Sequence, residues 1–176
     1  MPNYTYKYPR PALTVDIVIF SIHEDNLHVL LVQRGKEPFL GKWALPGGFV
    51  NIDESLVSAA KRELEEETSI AAVHLKQLRT FGDPGRDPRG RVISVSYYSI
   101  IHQEIHFQPV GGSDTDQAKW ILIDKLPPLA FDHEEILTCS MNKIRNNIRD
   151  TITEFDLLPV TNASHNLQKL IEIIQG

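Results

Sequence analysis

Hydrophobic and polar residues alternate along residues 91–101 with the two-residue period of a β-strand, and several other segments are mainly apolar. These segments are rich in β-branched residues, which suit a pleated and half-buried surface. Six segments are predicted to be strands: 12–20, 27–33, 43–45, part of 71–81, 91–101 and 118–123. Helices follow the third and the last of the main strands, so we predict an α/β fold, an α/β/α sandwich on a mixed sheet.

Two segments show the helical spacing of apolar residues instead. The first, residues 54–68, has three apolar side chains on one side: Val57, Ala60 and Leu64. The second begins at Asp132, whose side chain we expect to cap it, and runs to about residue 149. An amphipathic run at 167–174 predicts one more short helix in a C-terminal extension.

Prolines and glycines mark the connections between these elements. Residues 82–90 hold two prolines and three glycines, which excludes regular structure there. Residues 45–50 are predicted to form a turn and residues 111–116 a loop. We divide the chain into one domain at 8–140 and the helical extension at 141–176.

Size and charge narrow the possible functions. The chain has 176 residues, 41% of them hydrophobic, and a net charge of −5, which suits one globular domain and argues against broad binding to nucleic acid or anionic membranes. Cys139 is the only cysteine, so no intramolecular disulfide can form. Residues 1–10 lack the apolar core of a signal peptide, and no apolar stretch is long enough to span a membrane. We expect a cytoplasmic protein.

The first predicted helix carries a cluster of carboxylates. Glu63, Glu66 and Glu67 stand at positions i, i+3 and i+4, so their side chains emerge as neighbours. Such a face is often solvated surface, and folding alone does not require three like charges side by side. A hard divalent cation would offset their repulsion, since Mg²⁺ is typically held by carboxylates together with substrate phosphates. The cluster therefore indicates metal-dependent chemistry on a phosphate.

Gly48, Glu54 and residues 62–67 stand in the register of the Nudix hydrolase motif, so the chain resembles that family. The resemblance implies cleavage of nucleoside diphosphates linked to another moiety, with Mg²⁺ or Mn²⁺. It implies that Arg62 orients the glutamates as a catalytic residue. The residues it assigns to the metal site are Gly47, Glu54, Glu63, Glu66 and Glu67.

The motif departs from the family pattern at one position, and the catalytic base is open. The family has glycine where this chain has Ser69, and a residue other than glycine in the left-handed conformation costs roughly 1 kcal/mol. No ligand is lost. A water nucleophile also needs a base; the candidates are Asp114 and Asp116 in the predicted loop, or Glu66 and Glu67.

A second cluster lies on the glycine- and proline-rich loop. Arg86, Arg89 and Arg91 can present forked donors to phosphate oxygens. Together with residues 8–11 and 40–43, this loop resembles ADP-ribose pyrophosphatases within the family, which implies hydrolysis of ADP-ribose to AMP and ribose 5-phosphate. The residues assigned to this small-molecule substrate are Arg34, Asp83, Arg86 and Arg89. Alternatively, the loop's arginines and its aspartates at 83 and 87 pair with each other, and Arg91 is the most structural of the three arginines.

Four other side chains receive weaker assignments. We expect His133 to cap or pack at the start of the second helix, and Trp43 to lie in the core. Tyr97 and Tyr98 alternate in a strand, so one of them faces the core and the other is available for stacking on adenine.

Residues 129–176 resemble the same stretch of Nudix-related transcriptional regulators, which bind ADP-ribose as an effector. From residue 141 onward basic and acidic side chains balance, whereas a DNA-reading element needs a basic face. The apolar run at 170–174 must be covered, either by its own domain or by a second subunit. The resemblance to Nudix enzymes of this branch implies a homodimer, which we expect. A non-hydrolytic ADP-ribose sensor is thus the alternative function, but a sensor has no need of a complete glutamate cluster.

Overall fold

The computed structural model describes residues 7–71, 73–102, 115–148, 150–151 and 171–175. Within these ranges the strands are β1 (Ala12–His23), β2 (Asn26–Arg34), β3 (Trp43–Ala44), β4 (Gly47–Phe49), β5 (Lys76–Phe81), β6 (Val92–His102) and β7 (Thr115–Leu122). The helices are α1 (Leu56–Thr68) and α2 (His133–Asn146), with one 3₁₀ turn at Ile123–Lys125. None of the described helices is long and apolar enough to cross a membrane.

The strands form one mixed sheet, as predicted. Its main order is β3-β2-β1-β6-β5, with β4 paired to β1 and β7 paired to β2. β1 and β6 run parallel, and the other pairs are antiparallel. β2 pairs with residues 20–23 of β1, whereas β4 pairs with residues 14–16. One edge of β1 therefore pairs with β4 near its start and with β2 near its end. The candidate site lies where β2 and β4 separate from each other.

The sheet is covered on both faces, which gives the predicted sandwich. Along β1 the side chains of Val18 and Phe20 pack in a cluster with Ile136 of α2. Their neighbours in the alternation, including Ile17, pack in a second cluster with Leu64 of α1. Because successive side chains of a strand point to opposite faces, one strand contributes to both cores.

The two tyrosines of β6 differ from the expectation. Tyr97 is 5% exposed and Tyr98 is 3% exposed, and they belong to different core clusters. Because helices cover both faces of the sheet, neither ring is available to stack on a ligand. Trp43 packs against the first cluster, as expected.

Other boundaries differ in detail. The predicted turn at 45–50 contains β4, whose three residues pair antiparallel with β1. Val57 is 40% exposed, and Ala59 takes its place on the buried side of α1. Asp132 stands at the N-cap of α2 but makes no capping hydrogen bond, and this helix ends at Asn146.

The C-terminal extension is described only in part. Residues 171–175 are helical, and Ile174 is fully buried in the cluster that contains α2. The rest of the predicted helix at 167–170 lies outside the described residues. The division into 8–140 and 141–176 stays a prediction.

Candidate functional site

The carboxylate-bearing helix α1 is fixed at both ends by polar contacts. At its start the Ser55 side chain accepts a hydrogen bond from the Ser58 backbone N–H at 3.2 Å. At its end Ser69 has φ 59° and ψ 16°, and its N–H donates to the Glu65 carbonyl at 2.8 Å. The left-handed C-cap normally given by glycine is therefore formed by serine, without loss of the closing hydrogen bond.

Arg62 is the centre of the acidic cluster on α1. Its Nη1 donates to Glu63 at 2.7 Å and to Glu66 at 3.1 Å. Its Nε and Nη2 donate to the two carboxylate oxygens of Glu54 at 3.0 and 2.6 Å, and Nη2 also donates to the Phe49 carbonyl at 3.1 Å. Hydrogen bonds from Arg62 and from the Asn51 backbone lower the pKa of Glu54 to about 2. This guanidinium contacts Glu63 and Glu66, two of the three glutamates that the sequence predicts it to orient.

Two glycines let the backbone of β4 approach the glutamates. A Cβ atom at Gly48 would lie 2.5 Å from a carboxylate oxygen of Glu63, and one at Gly47 would lie 2.2 Å from the Val15 carbonyl oxygen. The Gly47 N–H donates to Glu67 Oε2 at 2.9 Å. A side chain at Gly48 would therefore fill the space between β4 and Glu63, and one at Gly47 would clash with the backbone of β1.

Glu67 is the most enclosed of the three glutamates. Burial, with a further contribution from the charge of Glu63, raises its pKa to about 8, although the Gly47 hydrogen bond and the charge of Arg34 act in the opposite direction. A carboxylate in that environment is stabilised in its ionised form by a nearby cation.

The donor set beside β4 fits a hard divalent cation, since it consists of carboxylate oxygens around a cradle that a Cβ would fill. In the described part of the chain, no three His, Cys, Asp or Glu side chains are already arranged to hold a metal ion. The guanidinium of Arg62 lies among Glu54, Glu63 and Glu66. A cation would have to compete with that guanidinium for the same oxygens.

A second arginine-centred network lies deeper, between the sheet and α2. Arg86, in the loop after β5, has a side chain that is only 4% exposed. It binds Asp132 through Nε at 2.7 Å and Nη2 at 2.6 Å, and Nη2 also contacts Asp16 of β1 at 3.2 Å. Asp132 therefore binds Arg86 where the sequence predicts a helix cap, and Arg86, assigned to the substrate, is paired with carboxylates of the protein.

Asp16 is the point where this network joins β1. Ser94 Oγ donates to Asp16 at 2.5 Å, and His133 Nε2 lies 3.4 Å from the other carboxylate oxygen. The Leu45 N–H donates to His133 Nδ1 at 2.9 Å, which places the imidazole proton on Nε2, facing Asp16. Burial alone would raise the pKa of Asp16, but the facing His133, Ser94 and Arg86 lower it to about 2.

Arg34 and Arg89 lie at the mouth of the site beside aromatic rings. Arg34 donates to the Pro38 carbonyl at 2.7 Å and lies over the ring of Phe131, 4.8 Å from its centroid. Burial, and then the charge of Arg89, lowers the pKa of Arg34. Arg89 is held by Asp87, which accepts from its Nε and Nη2 at 3.0 and 2.6 Å.

Two adjoining cavities unite these groups. The inner one is lined by Asp16, Arg86 and His133, and the outer one by Arg62, Glu63 and Glu66. The residues that line both are Arg34, Gly47, Gly48, Phe49, Glu67 and Arg89. Together the two cavities thus bring the metal-site glutamates to three of the four residues assigned to the substrate, all but Asp83.

The remaining predicted residues fall outside this arrangement. Asp83 is exposed, and only its backbone carbonyl contacts Arg86, at 3.3 Å. The alternative that loop acids and arginines pair holds for Asp87 with Arg89. Asp114 lies outside the described residues, and Asp116 lies in β7 with its side chain outside the described part, so neither is placed as a base.

Sequence reasoning missed Asp16, and it underrated His133. Asp16 carries a signal nonetheless, because a charged residue within the apolar run of β1 must be paired if it is buried. His133 packs at the start of α2 as expected, but it also lines the inner cavity. Arg91 donates to the Gly82 carbonyl, in keeping with a structural role.

Comparisons with known proteins find one family along most of the chain. A NUDIX domain model matches residues 10–138. The chain is 36% identical over 173 residues, 96% of its own length and 68% of the relative's, to the ADPR responsive transcriptional repressor NtrR of Acinetobacter baylyi. It is 40% identical over 131 residues, 74% of its length and 73% of the relative's, to the ADP-ribose pyrophosphatase of Methanocaldococcus jannaschii.

Solved structures give the same picture. The NUDIX domain of Shewanella oneidensis NrtR, cocrystallised with ADP ribose, aligns with a TM-score of 0.72 and 36% identity over 81% of this chain and 94% of that chain. Shewanella oneidensis NrtR in a longer form aligns with a TM-score of 0.76 and 34% identity over 93% of this chain and 76% of that chain.

Proposed function

The chain belongs to the Nudix hydrolase family, and from that premise we propose that it is a divalent-metal-dependent pyrophosphatase that cleaves ADP-ribose to AMP and ribose 5-phosphate. One observation carries the proposal: Glu67 lines the same two cavities as Arg34 and Arg89. Carboxylates that can bind a cation thus stand next to guanidinium groups that can bind a diphosphate. A relative that is 40% identical is named for this activity.

The three glutamates of α1 are the proposed metal ligands. Glu63, Glu66 and Glu67 would hold the metal, beside the close approach that Gly47 and Gly48 allow. A bound divalent cation supplies positive charge for the diphosphate and lowers the pKa of a water molecule.

The other charged groups orient and bind. Arg62 holds the carboxylates in place, and Arg34 and Arg89 offer donors to the phosphate oxygens. A carboxylate must accept the proton of the attacking water; Glu66, Glu67, Asp114 and Asp116 are the candidates for this role. Mg²⁺ as the resident metal and a homodimer as the assembly are part of the proposal, and light scattering of the purified protein tests the latter.

A second candidate function is ADP-ribose sensing without hydrolysis. The observation that favours it is the relative named as an ADPR responsive repressor, which aligns over 96% of this chain and therefore includes the C-terminal extension. The complete set of Glu63, Glu66 and Glu67 favours the enzyme, because binding an effector does not require three adjacent carboxylates.

The test measures AMP release from ADP-ribose with Mg²⁺ for the wild type and for Glu66→Gln and Glu67→Gln. We expect turnover in the wild type and losses on the order of 10²–10³-fold in the variants, the size found when one strong transition-state contact is removed. Glu65→Gln is the matched control, since Glu65 is exposed on the same helix and lines neither cavity.

Three further substrates complete the experiment: NADH, a diadenosine polyphosphate and a nucleoside triphosphate. Tight ADP-ribose binding without turnover of any substrate would establish the sensor. Turnover confined to another substrate would support metal-dependent hydrolysis at α1. It would reject ADP-ribose as the substrate that Arg34 and Arg89 bind.

A further inference from the structure

Three phenylalanines from separate parts of the chain meet around the two arginines at the cavity mouth. Phe39 belongs to the loop after β2, Phe49 belongs to β4, and Phe131 lies two residues before the start of α2. Arg89 lies 4.8 Å from the ring centroid of Phe49 and 5.4 Å from that of Phe131. The rings of Phe39 and Phe131 meet edge to face with centroids 4.8 Å apart. We call this group the aromatic rim.

The aromatic rim is costly for the fold. Phe39 has φ 68° and Phe131 has φ 54°, the left-handed region that bulky residues avoid. Phe39 is also 37% exposed and Phe49 is 45% exposed. Backbone strain and exposed aromatic surface occurring together at one place are typical of a ligand site rather than of a core.

Arg89 is held in a fixed plane within the rim. Asp87, which is only 3% exposed, binds its Nε and Nη2 and also accepts from its backbone N–H at 2.9 Å. The guanidinium therefore keeps its position over the Phe49 ring and needs no reordering when a ligand arrives.

Phe49 connects the rim with the carboxylates of α1. It lines both cavities, and it directly follows Gly48, whose Cβ position touches Glu63. Consecutive Cα atoms are about 3.8 Å apart, so a diphosphate held at the glutamates has its adjoining ribose and base within reach of this ring.

We propose that Phe49, backed by Arg89, is the platform on which the nucleobase of the substrate stacks. The inference rests on the proposed function, in that the neighbouring cavity takes a nucleoside diphosphate derivative. A ring with an arginine on it offers a π-face on which a planar base can stack, whereas a ribose has no π-face to place against it. The base-binding aromatic residue is thus on β4, and the buried Tyr97 and Tyr98 of β6 have no part in it.

The two halves of the substrate provide the test. Dissociation constants of AMP and of ribose 5-phosphate are measured by calorimetry without metal for the wild type, Phe49→Leu and Phe49→Trp. Phe49→Leu should weaken AMP binding about tenfold, equal to ~1.4 kcal/mol, and leave ribose 5-phosphate unchanged. Phe49→Trp should keep AMP binding, because it keeps a ring.

Leu40→Ala is the matched control, since Leu40 is 55% exposed nearby but lines neither cavity. Weaker binding of ribose 5-phosphate alone, equal weakening of both ligands, or no change in AMP binding would each overturn the proposal. If AMP binding depends on Phe49 but ADP-ribose is not hydrolysed, the base platform stands and the proposed enzyme fails.

Discussion

Arg62 and Arg86 each gather carboxylates, but in opposite surroundings. The Arg62 side chain is 27% exposed, and its carboxylate partners lie within eight positions of it along the chain. The Arg86 side chain is 4% exposed, and its partners lie 46 and 70 positions away. One cluster is an open part of the outer cavity, and the other is closed between the sheet and α2.

The difference teaches that burial, more than residue type, decides what an arginine–carboxylate cluster does. Ion pairs that solvent can reach contribute less to stability than buried ones, so the carboxylates of the outer cavity around Arg62 can exchange one cation for another at a smaller cost. A buried cluster cannot lose a member without leaving an uncompensated charge. The same residue types thus form a candidate catalytic cluster around Arg62 and a structural cluster around Arg86.

The largest effect is expected when the buried cluster is broken. Arg86→Met should lower the free energy of unfolding by about 3–5 kcal/mol, because Asp16 and Asp132 stay in place without their counter-charge. Urea denaturation measures it. Arg79→Met is the control: Arg79 also pairs with a carboxylate of α2 but is 55% exposed, and its loss should cost less than about 1 kcal/mol. Equal losses in the two variants would contradict the comparison.

Breaking the open cluster should affect activity instead. Arg62→Gln is expected to lower kcat by about 10–100-fold, the usual cost of removing a group that orients metal ligands, and to destabilise the fold less than Arg86→Met. Steady-state kinetics with ADP-ribose and a denaturation curve measure the two effects. Lys61→Gln, at an exposed neighbouring position, should change neither. Full activity in the Arg62 variant would remove its orienting role.

Acid should weaken the buried cluster in a defined range of pH. The pKa of Asp16 is lowered from 3.8 to about 2 in the folded protein, so its stabilisation is present above pH 3.8 and is lost as the pH falls through about 2. The loss should amount to about 2 kcal/mol. Unfolding free energies at pH 5 to 2, measured by denaturation, should fall more steeply for the wild type than for Asp16→Asn. Parallel curves would show that Asp16 titrates normally.

The smallest effect concerns the end of the helix that carries the open cluster. Ser69→Gly should raise the free energy of unfolding by about 1 kcal/mol, since glycine adopts the left-handed conformation without strain. Ser69→Ala, which keeps a Cβ, should bring no such gain. Thermal unfolding of the wild type and the two variants measures the change. A gain in stability in both variants would show that it does not come from the backbone conformation of residue 69.

The open cluster could be predicted from the sequence because its geometry is local. Glu63, Glu66 and Glu67 are neighbours on any α-helix, so their spacing alone implies their proximity. The preceding glycines are close in the chain, and a short stretch of sequence therefore contains most of the metal site. The sheet was equally accessible, since β1 and β6 are long segments rich in β-branched residues.

The buried cluster and the aromatic rim could not be predicted in this way. Asp16, Arg86 and Asp132 come together only when β1, the loop after β5 and α2 are assembled, and nothing in their spacing implies contact. Phe39 and Phe131 contact each other while both have a left-handed backbone conformation, which bulky residues rarely adopt and no local sequence pattern indicates.

The parallel pairing of β1 and β6 has a consequence for how the molecule folds. Ala12 pairs with Val92 and Ile22 with His102, so every contact joins residues 80 positions apart. Closing so long a loop costs chain entropy before the contacts repay it, which slows folding. Helix α1 lies within that loop and can begin to form early from its local bonds. The Arg86 network joins residues on both sides of this loop, so it forms only when β1 and β6 pair. The helix that carries the glutamates can therefore form before the cavity that they line.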